Sequence, residues 1–193
     1  QQQTYMDASV ARIGYLPEES KTLAQQALDG KGESGGGLGS AIGGAVGATF
    51  YLEPVATLDV DVFVTLRPGP DRLLVSLAPL YNELVAHGGR VEAEHVVIGG
   101  WPVQFLPPTS PRVEEALEQA ITMEVEALPV RVFTAEHLAA VALETGRAKD
   151  KARLLQFVES GILDAKRFQA ILERHALEDK WRLFQRQFLG DEP

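Results

Sequence analysis

The chain has 193 residues, with 27 acidic against 18 basic side chains for a net charge of −9, 45% hydrophobic residues and no cysteine. That length suits one domain with a small helical appendage, burying about 70% of its unfolded surface without a disulfide or metal staple. The missing cysteines exclude thiolate chemistry and cysteine zinc sites and lead us to expect a cytoplasmic protein; the negative balance excludes a surface built simply to neutralise phosphates; and no run approaches the ~20 apolar residues of a membrane span.

Residues 1–30 read as an N-terminal arm, partly foreign to the domain, in which Met6 is a candidate native start. EESKTLAQQALD at 18–29 has the pattern of a short helix closed by Gly30, and the glycine-dense run over 31–40 that of a flexible linker. Residues 41–133 read as an α/β domain. In it, Gly43-Gly44 opens a short helix, TLDVDVFVTL is the clearest strand, and SLAPLYNELVAHGG is a helix with Leu77, Leu80, Tyr81 and Leu84 on one face. EHVVIGGWPVQFL is a hairpin turned by Gly99-Gly100, SPRVEEALEQAI a helix capped by Ser110, and MEVEALPVRVF one or two strands.

Residues 134–193 read as a helical region of four segments, the first capped by Thr134 and ended by Gly146. Leu177, Trp181, Phe184 and Phe188 recur at helical spacing as a core stripe. The basic residues of this third, from Arg147 to Arg186, are interleaved with acidic ones and read as a solvated helical surface. His87, His95, His137 and His175 lack metal-ligand spacing and are expected to be structural or exposed.

Chemistry concentrates in the strand. Period two puts Asp59 and Asp61 on one face, about 7 Å apart along the chain, with Val60, Val62 and Val64 on the other. Parallel carboxylates repel unless something positive lies between them, and hard oxygen donors select Mg2+ or Mn2+. The other reading is that both lie on the solvent face of an edge strand. Around Gly43-Gly44 G-x-G-x-x-G fits in no register and no Gly-Lys-Ser/Thr follows, so a dinucleotide or Walker-type reading of that turn is poor.

The segment IGGAVGATFYLEPVATLDVDVFV resembles the opening of the nucleotidyltransferase superfamily that includes DNA polymerase beta, in particular its small bacterial toxin–antitoxin and minimal branches. The matching residues are Gly43, Gly44, Tyr51, Glu53, Pro54, Thr57, Asp59 and Asp61, and a downstream Gly-Arg-x-Lys-Asp run is matched by Gly146, Arg147, Lys149 and Asp150. The resemblance covers residues 41–189. It implies an α+β fold in which a mixed sheet with flanking helices precedes a C-terminal helical bundle. It also implies transfer of a nucleoside monophosphate from a nucleoside triphosphate to an RNA or protein hydroxyl, with a cognate antitoxin-like protein as a partner.

In the resemblance Gly43, Gly44 and Thr57 bind the nucleotide, Lys149 contacts its phosphates, Asp150 is the partner of Lys149 or a structural anchor, Asp59 and Asp61 hold the metal, and Asp59, Asp61, Lys149 and Asp150 make up the catalytic set. The sequence departs from that pattern in several places. Gln104 stands where a third carboxylate is expected, with Glu92 or Glu94 as alternatives; Val55 replaces an arginine and Arg153 an aspartate; and no apolar strand is evident ahead of Gly43. Glutamine brings no charge for a second metal, so the alternative function is a catalytically impaired fold that binds a nucleotide or a partner.

Overall fold

A computed structural model describes residues 39–54, 57, 59–65, 77–125 and 128–190. The helix expected over 18–29, all but the last two residues of the glycine-rich run and Val55 lie outside the described residues. The strands are β1 (Ser40–Ile42), β2 (Val60–Val64), β3 (Arg90–Glu92), β4 (His95–Ile98), β5 (Trp101–Leu106), β6 (Ile121–Val125) and β7 (Leu128–Val132). The helices are α1 (Gly44–Ala48), α2 (Ala78–Ala86), α3 (Pro111–Glu118), α4 (Ala135–Thr145), α5 (Ala148–Glu159), α6 (Ala165–Arg174) and α7 (Glu178–Phe184), with a π-helical turn at Gln185–Leu189.

All seven strands join one mixed sheet in the order β3-β4-β5-β2-β1-β7-β6. The aspartate strand β2 is therefore central: it runs antiparallel to β1 and parallel to β5, with Asp61 level with Gln104. An exposed edge position for the aspartates is thereby ruled out. β1 also corrects the expectation that no strand precedes Gly43. Three small or apolar residues suffice there because β2 and β7 flank them on both sides, and the buried Ser40 carries the sheet into the run read as linker.

Local signals explain most of the remaining elements. Gly99 and Gly100 take the positive φ values of 57° and 86° that a primed two-residue turn needs between β4 and β5. Ser110 caps α3 by accepting the Val113 N–H, Asp164 caps α6 by accepting that of Arg167, and Thr134 caps α4 by accepting that of His137. Gly146 ends α4 in the left-handed conformation, φ 64°.

Apolar residues segregate to the two sides of the sheet. Val62 and Val64 of β2 join Val96, Ile98, Val103 and Phe105 beneath Leu84 of α2, with Leu77, Leu80 and Tyr81 packed alongside. The second cluster is organised by α4, an alanine-rich helix buried around most of its circumference, against which α3, α5, α6 and α7 pack. Leu154, Phe157 and Leu172 are fully buried there, each worth about 2 kcal/mol of transfer free energy. Leu177 and Phe184 of the aromatic stripe join this core; Trp181 is half-buried, and Phe188 is 43% exposed beneath the Lys151 ammonium. The strand-rich half thus presents β2 to the helical half at its centre.

Candidate functional site

Asp61 follows Val60 into β2 and faces the side of the sheet opposite the Val62 cluster, as strand alternation requires. Phe63, next on that face, packs against Phe133 with ring centroids 4.8 Å apart. Above this row the chain turns from β1 into α1 through Gly43 and Gly44, which serve different ends. A Cβ on Gly43 would come within 2.5 Å of the Phe63 ring, and the Gly43 N–H donates to the Asp61 carbonyl at 3.0 Å. Gly44, at φ +57°, leaves the space that the Asp61 carboxylate occupies. The turn that the resemblance gave to phosphate thus lies directly on the metal-binding candidate, with one of its two amides already committed to β2.

Asp59 lies just ahead of β2. Its Oδ1 accepts from the Thr57 hydroxyl at 3.0 Å, and its Oδ2 lies 3.8 Å from His95 Nε2. Thr57 therefore acts on the site by orienting Asp59. His95, which its sequence context left as an ordinary histidine, is brought there by the hairpin register that sets Val96 against Val103 and by the parallel pairing of Val103 with Val60. Only strand pairing carries that proximity, so no local pattern marks it.

A cationic helix end completes the arrangement. Asp150 in the first turn of α5 is 2% exposed and accepts from Arg147 Nε at 2.5 Å and from Arg153 Nη1 at 3.4 Å. Asp150 thereby holds arginines that precede and follow the exposed Lys149 in the chain. Burial raises the Asp61 carboxyl above its ordinary range, the Asp59 charge raises it further, and Lys149, Arg153 and Arg147 pull it back. Asp61 thus meets the β1–α1 glycine turn directly, and the cations of α5 act on it through charge.

Gln104 lies beside Asp61 on β5, where a third carboxylate was expected; Glu92 ends the edge strand β3, and Glu94 lies in the turn from β3 to β4, 4.0 Å from His95. Among the described residues no group of three or more His, Asp or Glu side chains is arranged to hold a metal. Two carboxylates suffice for an ion that shares its remaining positions with phosphate and water. Asp59 and Asp61 fit that requirement, since the burial and mutual repulsion that disfavour the Asp61 charge are relieved by a cation between them.

No protein-family model matches the chain, and no curated protein matches it. Solved structures do. An antigenic nucleotidyltransferase-like protein from Paracoccidioides brasiliensis superposes with a TM-score of 0.51 at 15% identity, over 86% of this chain and 92% of that one. The antibiotic-resistance factor ANT(2'')-Ia in solution matches with a TM-score of 0.51 at 17% identity, covering 95% and 98% of the two chains. The same factor in complex with adenylyl-2''-tobramycin gives 0.51 at 18%, covering 90% and 99%. At these identities the likeness is one of fold.

Proposed function

We propose that this chain, whose fold is nucleotidyltransferase-like, is a divalent-metal-dependent nucleotidyltransferase that moves a nucleoside monophosphate from a nucleoside triphosphate to a hydroxyl acceptor. The observation that carries the reading is the Asp61 carboxylate seated against Gly44 on a central strand, with Asp59 beside it and the cations of α5 opposed to both. In the reaction the acceptor oxygen forms a bond to the α-phosphorus, the α–β anhydride bond breaks, pyrophosphate leaves and the acceptor proton is lost to solvent. Such a transfer needs positioning and charge neutralisation more than covalent help from the protein.

Each residue has a part. Asp59 and Asp61 would hold the ion, and the Thr57 hydroxyl, which donates to Asp59 Oδ1, would restrain that carboxylate. Gly44 admits the Asp61 carboxylate, and Gly43 ties the turn to β2. Lys149 supplies an exposed ammonium to the phosphates, and Asp150 aligns the arginines around it. When bound, the ion neutralises phosphate charge and activates the acceptor oxygen.

A second reading, nucleotide binding without turnover, is favoured by Gln104, whose neutral amide stands level with Asp61. One experiment separates the two. The protein is incubated with each α-labelled nucleoside triphosphate and Mg2+ or Mn2+ in the presence of bulk bacterial RNA and protein. Label transferred to either fraction by the native chain and not by Asp61→Asn supports the transferase. Nucleotide binding with no transfer to any acceptor supports the second reading.

A further inference from the structure

We propose that His95 lends a ring nitrogen to the divalent ion held by Asp59, so that this site is built for an ion that accepts mixed nitrogen and oxygen donors, Mn2+ in preference to Mg2+. The inference rests on the reading above in which Asp59 is a metal ligand, and it names the donor that stands in for the missing third carboxylate.

The sheet brings the imidazole there. β2 and β5 are parallel with Val60 level with Val103, and β5 and β4 are antiparallel with Val103 level with Val96. Val96 and Val103 belong to the cluster beneath α2 and Val60 packs against it, so alternation turns the residues before Val60 and Val96, which are Asp59 and His95, to the opposite side of the sheet. Continued by one residue, the same register sets His95 beside Gln104, which is itself level with Asp61. The neutral amide thus lies between the imidazole and Asp61 in one row across three strands, and the next strand over supplies the metal-binding group that β5 lacks.

The distances suit a shared ion. His95 Nε2 lies 3.8 Å from Asp59 Oδ2, and the imidazole is 22% exposed. That separation is too long for a hydrogen bond. Donors about 2.1 Å from one ion stand about 3 Å apart at a right angle and about 4.2 Å apart when opposed, and the observed separation lies between these limits. The other ring nitrogen, Nδ1, faces Glu94 Oε1 at 4.0 Å. A carboxylate behind the far nitrogen is the usual support of a ligating histidine, since it favours the tautomer that leaves the near nitrogen free for metal. The Tyr81 hydroxyl donates to the Glu94 carbonyl at 3.3 Å, which steadies the turn ahead of His95. Among the described residues no three such groups are already gathered about one point, and the inference therefore concerns the Asp59–His95 pair.

The preference among ions follows from the donor. Mg2+ is bound through oxygen, whereas imidazole nitrogen is a good donor to first-row transition ions. A neutral ligand also cancels less of the ion's charge than a third carboxylate would, and the surplus is left for the phosphates.

The test reads the nitrogen directly. Electron spin-echo envelope modulation is recorded on Mn2+ bound to the native chain, with and without an α,β-methylene nucleoside triphosphate, in protein carrying natural or 15N-labelled histidine. We expect a histidine nitrogen coupled to the ion, its frequency shifting with the label, and the coupling lost in His95→Gln. Titration of the same folded variant should show Mn2+ affinity about tenfold lower and Mg2+ affinity changed less. His95→Asp, which supplies a third carboxylate, should shift the preference towards Mg2+. Bound Mn2+ that is lost in Asp59→Asn but carries no histidine coupling, or coupling that survives His95→Gln, would overturn the proposal while leaving the metal site standing. A native chain that binds no Mn2+, with or without the analogue, would overturn the metal reading itself.

Discussion

The Asp61 carboxylate fills the space into which a side chain on Gly44 would grow, so strand and turn are fitted to each other at one atom. Gly44→Ala meets two obstacles: a φ of +57°, which costs an L-residue about 1–2 kcal/mol, and the displaced carboxylate. We expect a lower unfolding temperature together with loss of metal-dependent nucleotide binding. Gly43→Ala provides the contrast. It crowds Phe63 and Phe133 in the core, so it should destabilise the fold while nucleotide affinity, measured below the unfolding transition, changes less.

Lys149 and Asp150 are neighbours with separable parts. Lys149 is exposed, whereas Asp150 is buried and holds two arginines. Lys149→Ala should leave the unfolding temperature within experimental scatter and weaken triphosphate binding about tenfold. Asp150→Asn should lower stability by about 2 kcal/mol and also weaken binding, because Arg147 and Arg153 lose their common acceptor. Chemical denaturation and calorimetry on the two variants distinguish these outcomes.

Acid stability should depend on a network that includes none of the candidate site residues. Glu115 of α3 accepts from Arg174 Nη2 at 2.5 Å, from His175 Nε2 at 2.6 Å and from His137 Nε2 at 3.5 Å, joining α3 to α4 and to the end of α6. The Arg174 hydrogen bonds, aided by those from the histidines and opposed by burial, pull its carboxyl down from 4.5 to about 2. A depressed carboxylate stabilises the fold fully above its unfolded pKa, and that contribution is lost as pH falls from about 4.5 through about 2. Burial also depresses the imidazole of His137, so a second loss begins as pH falls below 6.5, where the unfolded chain takes up the proton first. Glu115→Gln should lower the unfolding temperature at neutral pH and flatten its decline below pH 4.5, while nucleotide binding is retained.

Much of the fold was legible because the sequence states its own boundaries. Thr134 and Gly146 bracket α4, Ser110 opens α3, and Gly99-Gly100 turns the hairpin. The aspartate strand stood out because alternation separates its valines from its carboxylates. Elements without such marks were missed: β1 and β3 are three residues each, and β3 is an exposed edge with no apolar alternation. His95 beside Asp59, and Arg174 and His175 on Glu115, arise from pairings of residues far apart in sequence, which no local periodicity encodes. The aromatic stripe loosens at its end: Phe188, in the π-helical turn, still packs on Phe184 with ring centroids 4.8 Å apart but is 43% exposed.

The most direct test of the central claim, that Asp59 and Asp61 hold a metal ion against a nucleoside triphosphate, is calorimetric titration of the four triphosphates in the presence of Mg2+ or Mn2+. The native chain and an Asp59→Asn/Asp61→Asn variant are compared. Binding by the native protein that requires the ion and disappears in the folded variant is the expected result. No binding by the native protein, or equal binding by both proteins, would contradict it.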